Sequence, residues 1–159
     1  MYKSAKKGWY KLLNPEKFIR QKDNHMKSVN ESKDGIFLEY KSSLELSMIK
    51  YCDYNKHIVR YSLEPFSIPY LKPTTGKIHR YYIDIFIEFS TGDKFIVEVK
   101  SSSETKPPRK PSKKTAKAIQ NYNKALETFM INKNKWDAAT QFAKERNIKF
   151  IILTEKELK

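Results

Sequence analysis

Two neighbouring segments carry the apolar alternation expected of a β-hairpin. Residues 80–89 and 94–100 are rich in aromatic and β-branched side chains, and the polar turn 90–93 separates them. This pattern predicts two paired strands joined by a short loop. Asp84 interrupts the first strand between two isoleucines, where aspartate is disfavoured. The second strand ends in Glu98-Val99-Lys100, so polar chemistry is predicted where the two strands meet.

The register of this hairpin decides which of these side chains meet. Side chains two positions apart share a face of a strand, so Glu98 and Lys100 point the same way. A three-residue loop at 91–93 would place Asp84 opposite Lys100 and diagonal to Glu98, with all three on one face. A two-residue loop would separate Asp84 from the other two unless a bulge corrected the register.

The remaining periodicity predicts helices around this hairpin. Residues 39–54 follow a helical spacing of apolar positions, and so do residues 119–146, with a bend expected at 132–135. Residues 58–70 indicate a strand interrupted or edged by its prolines, and residues 149–154 indicate a closing strand. The predicted order is helix, three strands, helix, strand (αβββαβ), which is an α/β fold with a mixed sheet flanked by helices.

The chain is expected to divide into two parts. Residues 1–38 are polar and basic, and we interpret them as an N-terminal arm with one short helix, capped by Asn14 and begun by Pro15. Residues 39–159 are predicted to form one compact domain. Within it, residues 101–117 are rich in proline and lysine and are expected to form a basic loop.

The charge of the chain limits the classes of molecule that it is expected to bind. It contains 32 Lys and Arg against 18 Asp and Glu, a net charge of +14, which favours binding to a polyanion such as nucleic acid or an anionic membrane surface. No apolar run approaches the roughly 18 residues of a membrane span, so we expect no membrane insertion. The single Cys52 excludes an intrachain disulfide.

The polar residues of the hairpin suit phosphodiester hydrolysis. Buried carboxylates are costly without a partner, and a divalent cation is such a partner. Asp84 and Glu98 are the predicted ligands of Mg²⁺, with Mn²⁺ as a substitute, and the main-chain carbonyl of Val99 and the carboxylate of Glu45 would complete the site. Lys100 would orient or deprotonate the attacking water, or clamp the phosphate.

Structural alternatives exist for each of these residues. Glu98 and Lys100 also fit a salt-bridge pair on a solvated strand face, and Glu45 fits an edge residue of its helix. Predicted DNA contacts are His79 and Arg80, which equally suit a polar strand start. The basic loop, which also suits a merely solvated segment, adds six further candidates for DNA binding: Lys106, Arg109, Lys110, Lys113, Lys114 and Lys117.

The acid of the first helix, Asp84 and Glu98-x-Lys100 together resemble the restriction-endonuclease-like (PD-(D/E)xK) nucleases. Within this superfamily, residues 40–155 look like the endonuclease subunit of heteromeric transposases. Over nearly the whole chain, segments such as Lys7–Phe18 and Glu88–Ser101 resemble the head completion nucleases of T-even-type myophages.

This resemblance implies a Mg²⁺-dependent endonuclease that acts on double-stranded DNA in phage head completion, before head–tail joining. It gives Glu45, Asp84 and Glu98 as metal ligands and Lys100 as the catalytic lysine. Expected partners are DNA and phage head or portal proteins, and the expected location is the host cell cytoplasm or the virion. Whether the chain forms a homodimer stays open. So do two other functions: a branched-DNA junction resolvase, and a non-catalytic basic DNA-binding head protein.

Overall fold

The computed structural model describes residues 7–20 and 29–158. These residues form nine strands, two α-helices and two short 3-10 helices, the latter at Pro15–Lys17 and Ser102–Thr105. The strands and helices are β1 (Gly8–Lys11), β2 (Val29–Ser32), β3 (Gly35–Tyr40), α1 (Ser43–Tyr54), β4 (Ile58–Leu63), β5 (Ser67–Lys72), β6 (Lys77–Tyr82), β7 (Ile85–Phe89), β8 (Lys94–Val99), α2 (Ala116–Glu145) and β9 (Lys149–Leu153).

The centre of the molecule is a four-stranded sheet in the order β4-β7-β8-β9. Strands β4, β7 and β8 are antiparallel neighbours, and β9 joins β8 in parallel. A parallel pair needs a long crossover, and α2 supplies it. The order α1-β4-β7-β8-α2-β9 confirms the predicted mixed sheet flanked by helices, with the β5–β6 hairpin inserted after its first strand.

The two helices cover opposite faces of this sheet. Met48 and Cys52 of α1 share a buried cluster with Val97. The neighbouring residue of the same strand, Ile96, faces the other way and packs with Ala139 of α2. Alternation along β8 therefore feeds two cores, as expected for a sheet buried on both sides. No helix within the described ranges is long and apolar enough to cross a membrane.

The structure divides two segments that the sequence-based prediction gave as one strand each, the first of them (58–70) as interrupted or edged by its prolines. Residues 58–70 hold two strands, because Glu64 adopts a left-handed backbone (φ 43°) and Pro65 follows it. Residues 80–89 likewise divide at Ile83 and Asp84, where β6 ends and β7 begins. The chain leaves the central sheet at the first break and returns at the second, and Glu64 N–H donates to the Asp84 carbonyl at 2.8 Å to close the excursion.

The helices also differ from their predicted extents. Helix α1 begins at Ser43, after Ser42 as its cap, because residues up to Tyr40 belong to β3. Helix α2 runs for 30 residues without an interruption at 132–135, where a bend was predicted.

The described part of the predicted N-terminal arm is built into the fold. Strands β1, β3 and β2 form a three-stranded antiparallel sheet, so a boundary after residue 38 falls inside β3. Leu12, Phe18 and Leu38 are buried in the same core as α1. Burial of these apolar side chains corrects the prediction of a separate arm. The short helix begins at Pro15 as predicted, although the Asn14 side chain donates to the Asp53 carbonyl and does not cap it.

Asp53 fixes this N-terminal segment to the core. It is fully buried at the end of α1. Its carboxylate accepts three hydrogen bonds, from Tyr10 Oη (2.8 Å), Leu13 N (2.8 Å) and Asn14 N (2.9 Å). Its backbone carbonyl accepts a further bond from Lys17 Nζ at 3.0 Å. A buried carboxylate is tolerable only when such donors satisfy it.

Replacing Asp53 by Ala should therefore destabilise the protein strongly. The change leaves three donors without their acceptor, and each buried unsatisfied group costs about 1–3 kcal/mol. We expect the free energy of unfolding, measured by urea titration, to fall by at least about 3 kcal/mol. Asp137→Ala, at an exposed carboxylate of α2, is the control and should change it by less than about 0.5 kcal/mol. Equal stability of the two variants would contradict this role.

Candidate active site

The register of β7 and β8 brings the two predicted acids together. Ile85 pairs with Val97, so the next position places Asp84 opposite Glu98. The predicted register, with Asp84 opposite Lys100, is therefore displaced by two residues. Side chains alternate with a period of two, so this displacement leaves Asp84, Glu98 and Lys100 on one face.

Glu98 is the most enclosed member of this group, with only 5% of its surface exposed. The Tyr81 hydroxyl donates a short hydrogen bond to Glu98 Oε2, and Lys100 Nζ lies 3.6 Å from Glu98 Oε1. The tyrosine and the lysine thus hold the two oxygens of one carboxylate. Burial, followed by the charge of Glu98, raises the pKa of Tyr81 above its ordinary value, which keeps the hydroxyl a donor.

Asp84 keeps part of its surface open to a neighbouring pocket, while protein atoms crowd its carboxylate on the other sides. Its Oδ2 accepts a hydrogen bond from Val99 N at 2.9 Å. Burial first, and then the nearby charge of Glu98, raise the pKa of Asp84 from 3.8 to about 8. The Val99 amide and the Lys100 charge act in the opposite direction. Two carboxylates this close do not both ionise easily without an added positive charge.

Strand β9 supports this end of β8 from the other side. Val99 pairs with Leu153, and Lys100 N–H donates to the Leu153 carbonyl at 3.1 Å. The backbone of Lys100 is therefore held by the last strand of the sheet, which aims its side chain toward Glu98.

Glu45 lies on the wall of the pocket next to Asp84. The pocket is also lined by Lys100 and by Glu64. Glu45 has a structural task there: its amide donates to Ser42 Oγ at 3.1 Å, and its Oε2 accepts from Lys41 N at 2.7 Å. This reciprocal pair is a variant of the capping box, and the spacing Ser42-x-x-Glu45 is its sequence signature.

The three predicted acidic ligands do not form a complete metal-binding site. Across residues 7–20 and 29–158, no three His, Cys, Asp or Glu side chains are arranged to hold a metal ion. Asp84 and Glu98 are adjacent, Val99 lies between Glu98 and Lys100 and lines the pocket, and Glu45 faces the same pocket while bound to a backbone amide. The metal-binding role of these residues stays a prediction.

Three residues near the site were not expected from the sequence. Lys135 of α2 holds its Nζ 5.6 Å from the ring centroids of both Tyr70 and Tyr81. Burial lowers the pKa of Lys135, and the charges of Glu98 and Asp84 oppose that change. The sequence offered one signal for Lys135: it lies three positions after Asn132, and this spacing puts both on one face of the helix, where Asn132 is buried. Tyr81 and Glu64 carried no signal of their own, because only the folded hairpin brings them to the site.

The predicted DNA-contacting residues occupy different places. His79 lies in β6, its ring 6.3 Å from that of Tyr70 and its Nε2 3.3 Å from Thr75 Oγ1, so it faces the protein. Arg80 is exposed on the other face, where its Nη1 donates to Ser67 Oγ at 2.9 Å. The six basic residues after β8 are all exposed, and none forms an ion pair within the described parts of the chain.

The boundaries of the basic loop differ slightly from the prediction. Residues Ser102–Thr105 form a 3-10 helix, in which Ser102 N–H donates to Glu155 Oε2 at 2.8 Å. Lys117 belongs to the first turn of α2, because Thr115 accepts from Ala118 N–H and caps the helix there. Irregular backbone therefore spans 106–115, anchored at both ends.

Comparison with known proteins agrees with this arrangement. Residues 55–155 match the family described as TnsA-like endonuclease N terminal. Over 122 residues, the chain is 37% identical to the head completion nuclease of Enterobacteria phage T4, with 77% of this chain and 81% of that protein covered. Both matches confirm the resemblance seen in the sequence. The chain therefore belongs to the restriction-endonuclease-like nucleases, in the branch of the TnsA-like endonucleases.

Proposed function

We propose that this nuclease is a Mg²⁺-dependent endonuclease that hydrolyses phosphodiester bonds of double-stranded DNA. The observation that carries the proposal is the pair of crowded carboxylates, Asp84 and Glu98, with Lys100 Nζ 3.6 Å from Glu98. A pair that is expensive to ionise by itself becomes stable once a divalent cation shares it.

The donor set fits a hard cation. Mg²⁺ prefers carboxylate and carbonyl oxygens and keeps several waters, so few protein ligands suffice. Asp84, Glu98 and the Val99 carbonyl would hold the ion, and Glu45 would join them by releasing the Lys41 amide. Mn²⁺ takes the same donors. Bound there, the ion supplies Lewis-acid stabilisation of negative charge on the non-bridging phosphate oxygens.

The protein side chains position the reactants around that centre. Tyr81 fixes Glu98, and Val99 N–H fixes Asp84, so neither carboxylate has to reorganise. The Lys100 ammonium, held from behind by β9 and beside Glu98, orients the attacking water or clamps the phosphate. Lys135 adds a second positive charge on the α2 side of the same group.

The surface around the site supports a polyanionic substrate. The net charge is +14, and the exposed basic residues at 106–117 begin six positions after Lys100, beyond the 3-10 helix Ser102–Thr105. Such residues release counterions when they neutralise phosphates, which gives affinity without sequence preference.

We extend the proposal to phage head completion, because the relative from phage T4 carries that name. In this role the enzyme acts on DNA at the head portal, after packaging and before tail joining. Its protein partners would be head or portal proteins, and it would work in the host cell cytoplasm or stay with the virion.

The central test is plasmid cleavage in Mg²⁺, Mn²⁺, Ca²⁺ or EDTA. Asp84→Ala and Glu98→Ala should each lower Mg²⁺-dependent cleavage by more than about 100-fold. Mutation of residues that only support metal ligands already lowers metal affinity or activity by about 10–100-fold. DNA affinity should stay equal or rise, because a repulsion toward phosphate is removed. Asp137→Ala is the matched surface control. Full cleavage by Asp84→Ala, or cleavage by the wild type in EDTA, would overturn the proposal.

Glu45 can be tested apart from its capping task. Glu45→Gln keeps an oxygen that accepts from Lys41 N–H, because Gln also serves in a capping box. The variant should therefore unfold within about 0.5 kcal/mol of the wild type. If Glu45 is a ligand, its turnover should drop most at low Mg²⁺ and recover in part at high Mg²⁺. Unchanged activity at every Mg²⁺ concentration would leave Glu45 with the capping role alone.

The basic residues after β8 should act through substrate binding. Replacing Lys106, Arg109, Lys110, Lys113, Lys114 and Lys117 by Ser should flatten the plot of log affinity against log salt by about 0.9 for each lost phosphate contact. The single-turnover rate at saturating DNA should be largely kept, because Lys100 and the carboxylates are unchanged. An unchanged salt slope would show that this segment does not touch DNA.

Metal-free stability should depend on Asp84 and on pH. The folded state keeps Asp84 protonated up to about pH 8, whereas the unfolded chain ionises it above 3.8. The folded state therefore binds more protons between these values, and its stability falls as pH rises through that window, by at most about 1.4 kcal/mol per pH unit. Urea unfolding in EDTA at several pH values measures this slope.

Asp84→Asn should flatten that dependence, because the amide does not titrate. Adding Mg²⁺ to the wild type should restore stability mainly at the high-pH end, where the ligand is deprotonated. A wild-type slope equal to that of the Asn variant would contradict the assignment.

A further inference from the structure

The β5–β6 hairpin stands outside the central sheet and has two unlike faces. Its inner face carries Ile68, Tyr70 and Tyr81, which pack with α2. Its outer face carries the cross-strand pair Leu71 and Ile78, which are 52% and 67% exposed. Two large aliphatic side chains side by side in water form an apolar patch that a partner would cover favourably.

The charge of the hairpin identifies the class of partner. Residues 65–83 contain Lys72, Lys77 and Arg80 and no Asp or Glu. Lys72 and Lys77 face each other across the two strands at the turn. Like charges placed directly opposite are destabilising by themselves, so an anion between or beside them relieves a cost that the free protein carries. Of the three cations, Arg80 shares the outer face with Leu71 and Ile78, whereas alternation turns Lys72 and Lys77, at the tip of the hairpin, toward the inner face. An apolar strip with one cation beside it and two at its tip matches base edges bordered by phosphates.

The dimensions of the hairpin select the groove. Two strands lie about 4.8 Å apart, and a sheet with its side chains is about 10 Å thick. The major groove, about 12 Å wide, admits a two-stranded ribbon, whereas the minor groove, about 6 Å wide, does not.

The hairpin also leads straight into the active site. Asp84 comes six positions after Ile78, and at about 3.3 Å per extended residue the two lie at most about 20 Å apart. With about 3.4 Å of duplex per base pair, this reach equals roughly six base pairs. The opposite face of the same strand supplies Tyr81, which holds Glu98.

We propose that the outer face of β5–β6 lies in the major groove of the DNA, within about six base pairs of the cleaved phosphate. Leu71 and Ile78 contact base edges such as thymine methyl groups, and Arg80 reaches base or phosphate oxygens from the same face. Lys72 and Lys77 neutralise phosphates of the flanking backbone from the tip of the hairpin. The inference rests on the proposed function in one respect, that duplex DNA is the substrate.

Photo-crosslinking tests the occupant of this surface directly. An Ile78→Cys variant can be labelled alone with an azidophenacyl group, because Cys52 is fully buried and burial raises the pKa of its thiol. Leu13→Cys, at a residue 57% exposed in the N-terminal segment, is the matched control. Irradiated with duplex DNA in EDTA, the Ile78→Cys protein should crosslink to DNA and the control should not. Crosslinking between two protein chains, or none at all, would overturn the proposal.

Affinity measurements separate apolar from ionic contacts. Leu71→Ser with Ile78→Ser should weaken duplex binding by about tenfold, as expected for an apolar contact worth about 1.4 kcal/mol, and should leave the salt slope unchanged. Lys72→Ser with Lys77→Ser should flatten the slope by about 0.9 for each contact. The control pair Leu13→Ser with Val59→Ser, both exposed aliphatic residues, should bind as the wild type does. Wild-type affinity of the Leu71 and Ile78 variant would contradict the groove contact.

The two proposals can fail separately. A protein that crosslinks to DNA through position 78 but cuts no plasmid in Mg²⁺ keeps the groove contact and loses the nuclease mechanism. A protein that cuts plasmid while the labelled variant crosslinks nothing loses only the groove contact.

Discussion

The pairing of β7 with β8 is the constraint on which this molecule depends. It sets Asp84 opposite Glu98 and leaves Lys100 one step beyond the strand. It also divides alternate side chains between the α1 core and the α2 core. A slip of one residue would exchange the two sets and place each side chain in the wrong core. The same register that fills two cores therefore brings two carboxylates together, so folding itself carries the electrostatic cost of the site.

The neighbours of these carboxylates keep that cost tolerable. Tyr81, the Val99 amide and Lys100 each satisfy one acidic oxygen, and they come from a separate hairpin, from β8 and from the end of β8. Asp53 shows the contrasting solution elsewhere in the fold. Its carboxylate is saturated by three donors and has no opening to a pocket, so it serves stability. The carboxylates of Asp84 and Glu98 differ from that of Asp53 because they are enclosed by protein but have fewer hydrogen-bond donors.

The sequence predicted the layout of the core well, because the signals were local. The alternation in 94–100 and the helical spacing predicted for 39–54 are each a pattern within a short stretch of sequence. Asp84, Glu98 and Lys100 were recognisable as polar interruptions at the end of an apolar hairpin. The prolines of 58–70 indicated an interrupted or edge strand, and the structure has the break at Glu64 and Pro65. The break at Ile83 and Asp84 was missed, because the alternation of buried and less buried positions continues across it. The register was two residues off, since the loop between β7 and β8 is longer than the minimal turn.

Residues contributed by distant elements could not be found in this way. Tyr81 reaches Glu98 only because a hairpin is inserted between β4 and β7, and Lys135 comes from α2, the crossover helix between β8 and β9. The structural task of Glu45 was readable from Ser42-x-x-Glu45, yet a capping signal does not say which pocket the capping residue borders.

The parallel strand β9 has a consequence for the timing of activity during synthesis. It is made some fifty residues after β8, and its Leu153 carbonyl holds the backbone of Lys100. Until the ribosome has released residues 149–153 and α2 has crossed the sheet, the far edge of β8 has no neighbour and the lysine has no fixed direction. A nascent or prematurely ended chain therefore contains Glu45, Asp84 and Glu98 but lacks the strand that holds the backbone of Lys100. Nuclease activity would appear only after β9 has joined the sheet. This delay would protect nearby nucleic acid from incomplete copies of the enzyme.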